Sequence, residues 1–196
     1  DRTLSPTLEL LGALPPDAGD DALYFFRLAA LHEEMHAEAA IYMAENLGIA
    51  VRTGPPAQSQ AAVAELEVPG QRFRMGSDGA GFAFDNELHS HEETLEAFRI
   101  DSQPVTWARF LPFIEAGGYE QREWWSDAGW DWLARQPARQ PARVRHGGAS
   151  WEQRRGPRWL PLDPLLAAAH LTAYEADAWC RWAGRRLPSE AEWECA

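Results

Sequence analysis

An uninterrupted helical run from about Asp21 to Leu47 constrains the fold more than any other feature of this sequence. No proline or glycine falls inside the run. Asp20 and Asp21 are suitable N-cap residues, and Gly48 is a suitable residue to end a helix. A helix of this length is about 40 Å long and must pack against other helices to bury its apolar residues. The run therefore predicts part of a helical bundle at the start of the chain.

Two histidines stand one turn apart on this predicted helix. At about 100° per residue, His32 and His36 project from the same face, where two imidazole nitrogens can converge on one metal ion. Small and apolar residues share the stripe, which predicts that both histidines face an interior. These residues are Phe25, Ala29, Ala39, Ala40 and Met43. The spacing indicates a metal site, although two core histidines that only hydrogen-bond their surroundings would show the same spacing.

The same segment allows a different chemistry. His32-Glu33-Glu34-Met35-His36 matches H-E-x-x-H, the zinc metalloprotease signature, in which Glu33 would be the general base on a metal-bound water. Such proteases take a third ligand from a following element, and the acidic or histidine candidates that follow this helix lie beyond a proline-rich stretch. A zinc hydrolase stays open as an alternative. So does a metal-free binding module on the same fold.

The sequence changes character after the helix. Residues 51–62 are rich in proline, glycine, glutamine and serine, as an interdomain linker is. This predicts a partial helical bundle at 1–50, a linker at 51–62 and a second domain at 63–196. The second domain shows short strands and separate helices without a βαβ rhythm, which predicts the α+β class.

Local patterns predict the strands of the second domain. Val63–Val68 alternates apolar and polar residues, and Pro69-Gly70 suggests a hairpin with Arg72–Met75 as the partner strand. Thr94–Ile100 is another alternating strand.

Capping residues predict the helices of the second domain. Thr106 can cap a helix over Trp107–Ala116. Thr172 with Glu175, and Ser189 with Glu192, have the spacing of capping boxes.

An arginine-rich stretch covers residues 135–158. It allows an anion-binding loop, but a variable surface excursion kept soluble by arginine is the favoured interpretation, and we assign it no role.

Composition excludes some partners. The net charge of −12 repels phosphate backbones, which argues against a nucleic acid partner. No apolar run approaches the roughly 18 residues of a membrane span. Cys180 and Cys195 lack metal-ligand or disulfide spacing, so free thiols in the cytoplasm are expected.

Several phrases of the second domain resemble the formylglycine-generating-enzyme-like domain, which has a C-type-lectin-like α+β fold. The chain places this domain after a region that resembles a DinB-like helical bundle with a His-x-x-x-His-x-Glu motif, here His32, His36 and Glu38. The combination is similar to the nonheme-iron sulfoxide synthases of ergothioneine biosynthesis. The phrases are Phe82-Ala-Phe-Asp-Asn-Glu87, Phe98-Arg-Ile-Asp101, Pro104-Val-Thr106, Gly117-Gly-Tyr119, Trp124-Trp125-Ser126 and Trp179-Cys-Arg-Trp-Ala-Gly-Arg-Arg-Leu-Pro-Ser-Glu-Ala-Glu-Trp193.

The resemblance implies an enzyme that uses iron(II) and O2 to join a sulfur donor, γ-glutamylcysteine or cysteine, to the imidazole of hercynine. His32 and His36 would be two of three histidine ligands, with the third on an earlier helix outside this chain. Glu38 projects about 120° or more from both histidines. This direction fits a residue that supports the ligands through hydrogen bonds better than one that binds the metal. The catalytic tyrosine would come from a C-terminal part that is absent here, so the catalytic residue stays unknown. Cys180 and Cys195 do not match the reactive cysteines of formylglycine-generating enzymes.

One residue departs from the pattern. Many ergothioneine enzymes have a glutamine before the second histidine, where it contacts the hercynine imidazole, and this chain has Met35. A thioether donates no hydrogen bond, so the pocket must hold its substrates differently. Selenoneine synthase, a branch of the same family, takes a selenosugar donor, and Met35 favours that branch slightly. Simple core packing of Met35 is an equal alternative.

Overall fold

Two helices precede seven short strands and four further helices in the part of the chain that the computed structural model describes, which is residues 3–51, 63–148 and 150–196. The helices are α1 (Leu4–Gly12), α2 (Asp20–Leu47), α3 (Trp107–Glu115), α4 (Asp127–Leu133), α5 (Ala173–Trp182) and α6 (Glu190–Cys195). The strands are β1 (Glu65–Val68), β2 (Gln71–Met75), β3 (His91–Leu95), β4 (Phe98–Asp101), β5 (Val144–His146), β6 (Trp151–Arg155) and β7 (Arg158–Pro161). Short 3₁₀ helices lie at Asp85–Glu87 and Arg122–Trp124.

The long predicted helix forms as α2, with α1 packed against it. Its N-cap is Gly19, one residue before the predicted aspartates, and Asp20 and Asp21 lie in the first turn. Carboxylates there favour the helix because its N-terminal end carries partial positive charge. Gly48 ends the helix in the left-handed conformation, with φ of 73°, as predicted.

The surroundings of α2 differ from the prediction. None of its residues is buried, and apolar side chains of the histidine stripe are open to solvent, such as Phe25 at 75% exposure. The expectation that His32 and His36 point into an interior is therefore wrong for the described residues. Among the described residues, the contacts of α2 with the α+β part lie near its two ends, and its middle stays exposed.

The predicted hairpin between β1 and β2 is also wrong. β1 pairs antiparallel with β4, with Val68 opposite Phe98, and β2 pairs antiparallel with β3, with Gln71 opposite Leu95. Proline at position 69 explains the difference, because two-residue hairpin turns of types I′ and II′ need a positive φ at their first central residue and proline fixes φ near −65°. Pro69-Gly70 instead connects β1 to β2, which belong to two different two-stranded sheets.

The arginine-rich stretch is more ordered than predicted. It contains the three-stranded antiparallel sheet β5-β6-β7. Val144 is fully buried in the core cluster, and Trp151 packs against that cluster. The interpretation of the whole stretch as a surface excursion is therefore wrong, because Pro141, Arg143, Val144 and Gln153 are buried.

Aromatic side chains form the core of the α+β part. Trp107, Phe110 and Phe113 of α3 meet Trp179 of α5, and Trp125 joins them from the loop before α4. Both predicted capping boxes are present, at the start of α5 and of α6. Helices and short antiparallel strands are segregated along the chain, which confirms the α+β class.

Residues 52–62 of the predicted linker lie outside the described part of the chain. Within the described residues, no helix combines the length and the apolar character that crossing a membrane requires.

Candidate metal and substrate site

The two histidines of α2 come together as their spacing predicts. The ring centroids of His32 and His36 are 4.4 Å apart, with the ring planes at 68° to each other. Both residues are exposed, in the uncovered middle of the helix. One helical turn separates them, so one ion could bind a nitrogen of each ring on the solvent side of the helix.

Neighbouring residues on α2 take the places that helical geometry gives them. Met35 is 53% exposed and lies about 60° around the helix from His32, beside the pair. Glu38 and Glu33 are exposed on other faces. The structure therefore brings Met35 near the histidine face and leaves Glu38 and Glu33 away from it.

The donor set fits part of a metal site. Two imidazoles suit iron(II) and zinc equally, since both ions accept nitrogen ligands. No group of three or more His, Cys, Asp or Glu side chains could hold a metal ion among the residues the structure describes. His32 and His36 can thus supply two ligands, and a complete site needs at least one further donor.

The N-terminal end of α2 contacts the α+β part. The N–H of Gly81 donates a hydrogen bond of 3.1 Å to Oδ2 of Asp20, and the rings of Tyr24 and Phe82 stack with centroids 5.4 Å apart. Arg27 donates to the other oxygen of Asp20 at 2.6 Å. The hydrogen bond from Arg27 and that from Gly81 hold the pKa of Asp20 below its usual value.

The C-terminal end of α2 contacts the three-stranded sheet. Arg143, just before β5, donates to Oε2 of Glu45, and the N–H of Gly156 donates to the same oxygen at 2.8 Å. Burial raises the pKa of Glu45, but the hydrogen bonds from Gly156 and Arg143 outweigh it and leave the pKa below its usual value. No sequence pattern identified Arg143 or Glu45 as partners.

Tyr119 and Tyr174 differ in their surroundings. Tyr119 is fully buried, and its hydroxyl donates a hydrogen bond of 2.6 Å to Glu175. Burial and the negative charge of Glu175 raise the pKa of Tyr119 far above its usual value. Because it is buried and bonded to Glu175, this hydroxyl is closed to a substrate that arrives from solvent. Tyr174, by contrast, is exposed on α5.

The thiols are free, as expected. Cys180 is buried, and burial followed by the charge of Asp177 raises its pKa. A raised pKa keeps the thiol protonated and weakly nucleophilic. Cys195 accepts a hydrogen bond of 3.2 Å from Gln71.

A groove of about 1140 Å³ runs between the β1–β4 ladder and helices α5 and α6. Its charged residues neutralise one another: Arg185 pairs with Glu65 at 2.7 Å and with Asp101 at 3.4 Å. The groove was not predicted, because its walls are far apart in sequence.

Residues 52–196 match the family model of the sulfatase-modifying factor enzyme 1-like domain. The chain belongs to the sulfatase-modifying factor enzyme 1-like family. The family resemblance predicted from the sequence is thus confirmed, and the phrases that carried it lie in the α+β part. The DinB-like assignment of the N-terminal helices stays a prediction.

This family member is also similar to curated proteins over nearly its whole length. It is 37% identical to the hercynine oxygenase of Mycolicibacterium thermoresistibile, over 98% of this chain and 43% of the relative. It is 35% identical to the hercynine oxygenase of Mycobacterium tuberculosis, over 98% of this chain and 46% of the relative. The formylglycine-generating enzyme of Streptomyces coelicolor is 32% identical over 75% of this chain and 51% of that enzyme. The chain spans less than half the length of the hercynine oxygenases it matches.

Proposed function

We propose that this protein is an oxidoreductase that modifies hercynine. The similarity over 98% of the chain to proteins named hercynine oxygenase carries the proposal. It includes α2, whereas the family model begins at residue 52. Similarity to the hercynine oxygenases therefore extends over the helix with the histidine pair, and this favours hercynine as the substrate over the substrates of relatives that match the α+β part alone.

We further propose that His32 and His36 hold iron(II), together with a third ligand. Neutral imidazoles on one face of α2 leave other positions of the ion open. Iron(II) bound there would supply sites for O2 and for the chalcogen atom of the donor, and would allow electrons to pass between them. The chain's own contribution is to hold both imidazoles one turn apart on a helix whose two ends are fixed.

The proposed reaction forms a carbon–selenium or carbon–sulfur bond on the hercynine imidazole. The bond replaces a ring C–H and a donor Se–H or S–H, which releases two protons and two electrons. If O2 accepts these and two further electrons from the chalcogen, one oxygen atom ends in water and the other on the chalcogen. Holding both substrates at one site supplies the proximity that this coupling needs.

Met35 supports selenium over sulfur in this proposal. Its side chain lies beside the histidine pair and can donate no hydrogen bond to an imidazole or to a donor carboxylate. A soft, polarisable thioether suits contact with a selenosugar better than recognition of an amino acid. Selenoneine synthesis is therefore the favoured form of the reaction, and thiol coupling is the other form.

Formylglycine generation is a second candidate, because a formylglycine-generating enzyme is 32% identical over 75% of this chain. The thiols argue against it. Cys180 is buried with a raised pKa, and Cys195 is engaged by Gln71. Cys180 therefore lacks the lowered pKa and open surroundings of a reactive thiol.

A competition experiment tests the proposal. The full-length protein is loaded with iron(II) without oxygen and is then given O2, hercynine and equal amounts of selenosugar, γ-glutamylcysteine and cysteine. Mass spectrometry should detect a selenium adduct of hercynine. A sulfur adduct alone would support hercynine as the substrate but would contradict the inference from Met35. Unchanged hercynine with zinc retained by the protein would contradict the proposal and favour the hydrolase alternative.

A further inference from the structure

The helix that carries the histidine pair is fixed at both ends and uncovered between them. Asp20 and Tyr24 contact Gly81 and Phe82 near its start, and Glu45 contacts the sheet near its end. The two attachments are about 25 residues apart, or about 37 Å along the axis. His36 lies between them, nine residues before Glu45. Any shift of the C-terminal attachment therefore moves the histidines.

The C-terminal attachment is built around a buried arginine. The side chain of Arg143 is 8% exposed. Its guanidinium donates to Glu45, to the carbonyl of Arg154 at 3.1 Å and to Oδ1 of Asn46 at 3.4 Å. Its Nε is buried with no hydrogen-bond partner among the described residues. Burying a guanidinium costs desolvation free energy. Here its hydrogen bonds offset part of that cost, and its planar shape fixes the direction of its partners.

The sheet also fits closely around the end of the helix. Gly156, in the turn between β6 and β7, is buried, has φ of 53° and donates to Glu45. A Cβ at that position would lie 3.1 Å from the carbonyl oxygen of Ile49. A Cβ on Gly48 would lie 2.5 Å from the guanidinium of Arg154. The turn and the end of α2 are therefore in close contact, and the positive φ of Gly48 and Gly156 disfavours a side chain at either position.

We propose that Arg143 and Glu45 are positioning residues, which fix the histidine helix on the α+β part and so set where His32 and His36 meet the substrate. This inference rests on the proposed function. One guanidinium nitrogen of Arg143 donates to Glu45 and the other donates to Asn46, and two hydrogen bonds to neighbouring residues fix the direction as well as the distance of the helix end, which a single apolar contact does not. If the pair is lost and α2 pivots on its N-terminal contacts, His36 moves by roughly two thirds of the shift at Glu45, in proportion to its distance along the axis.

The expected effect is on substrate geometry and not on the ligands themselves. His32 and His36 belong to one helix, so their spacing survives a tilt of that helix. The third ligand, expected on an earlier helix of the same bundle, would tilt with them, so metal affinity should not change. Hercynine, in contrast, would be held between α2 and groups on the α+β part. A misplacement of about 1 Å lowers kcat/KM by roughly 10- to 100-fold in such a site.

The test compares four forms of the full-length protein: wild type, Arg143→Ala, Arg143→Lys and Arg145→Ala. Arg145 is the matched control, because it lies two residues further along the chain, in β5, and pairs with Glu152 of the same sheet. The readouts are KM and kcat for hercynine, affinity for cobalt(II) as a probe of the histidine pair, and hydrogen exchange at the Gly156 amide. Arg143→Ala should raise KM, lower kcat, speed exchange at Gly156 and leave cobalt affinity unchanged. Arg143→Lys should fall between wild type and Arg143→Ala, and Arg145→Ala should match wild type.

A merely structural role gives a different pattern. Loss of folded protein lowers kcat in proportion to the folded fraction and leaves KM unchanged. Unchanged KM in Arg143→Ala, or an equal rise in Arg145→Ala, would therefore overturn the positioning role. Unchanged hydrogen exchange at the Gly156 amide in Arg143→Ala would contradict the claim that Arg143 attaches the end of α2 to the sheet, whatever the substrate is. If the wild type consumes no hercynine, the proposed function fails and the positioning role falls with it, while the exchange experiment still decides whether Arg143 holds α2.

Discussion

The Tyr119 hydroxyl donates a hydrogen bond of 2.6 Å to Oε1 of Glu175, whose other oxygen accepts the N–H of Thr172 in the capping box of α5. Tyr119→Phe leaves the buried carboxylate without this donor and should lower the free energy of unfolding by about 1–3 kcal/mol. Urea unfolding measures the change. Tyr174→Phe, at an exposed site on the same helix, should change it little. Equal losses in the two variants would contradict the role given to the buried hydrogen bond.

Gly118 is predicted to tolerate no side chain. A Cβ there would lie 2.1 Å from the ring of Phe113, which is fully buried. Gly118→Ala should therefore destabilise the protein by about 1–3 kcal/mol or more through overpacking. Gly12→Ala is the control, since nothing lies within 4 Å of a Cβ at the end of α1. Thermal unfolding should show a lower Tm for the first variant and an unchanged or higher Tm for the second.

Glu192 should contribute to stability in a pH-dependent way. The hydrogen bond from Arg186, followed by that from the Ser189 N–H, lowers its pKa from 4.5 to about 2. A lowered pKa in the folded state adds stability that is complete above pH 4.5 and is lost as the pH falls towards 2. Glu192→Gln should lower Tm at pH 7 and weaken the decline of Tm between pH 5 and 2. Glu190→Gln, exposed in the same helix, should keep the decline of the wild type.

Met35→Gln should change the donor preference. An amide at this position can donate hydrogen bonds to the imidazole or to a donor carboxylate, which the thioether cannot. The ratio of selenium to sulfur adducts in the competition experiment should therefore fall. Met43→Gln is the control, because Met43 is equally exposed on the same stripe and lies two turns further along α2. An unchanged ratio in Met35→Gln, or an equal fall in Met43→Gln, would contradict the role of Met35.

Local sequence signals predicted the parts of the fold that depend on neighbouring residues. The long helix, its end at Gly48 and both capping boxes depend on residues within four positions of one another, so the sequence shows them directly. The spacing of His32 and His36 is also a local feature, since the two residues are four positions apart on one helix, and the contact between their rings follows from that spacing.

Pairings between distant residues could not be predicted in the same way. The Pro69-Gly70 signal suggested a hairpin, but the partner of β1 lies beyond β3, and only the tertiary arrangement selects it. Arg143 was hidden in an arginine-rich stretch, because its partner Glu45 is 98 residues away. Exposure of the histidine stripe was not predicted either, since an amphipathic pattern indicates which face is apolar and not what covers it.

The most direct test of the account measures hercynine consumption in a single turnover. Wild-type full-length protein and the His32→Ala, His36→Ala and His89→Ala variants are loaded with iron(II) without oxygen and mixed with hercynine, donor and O2. We expect the wild type and His89→Ala to consume hercynine, and we expect His32→Ala and His36→Ala to retain no iron and to leave hercynine unchanged. Hercynine consumption at the wild-type rate in either His32→Ala or His36→Ala would contradict the account.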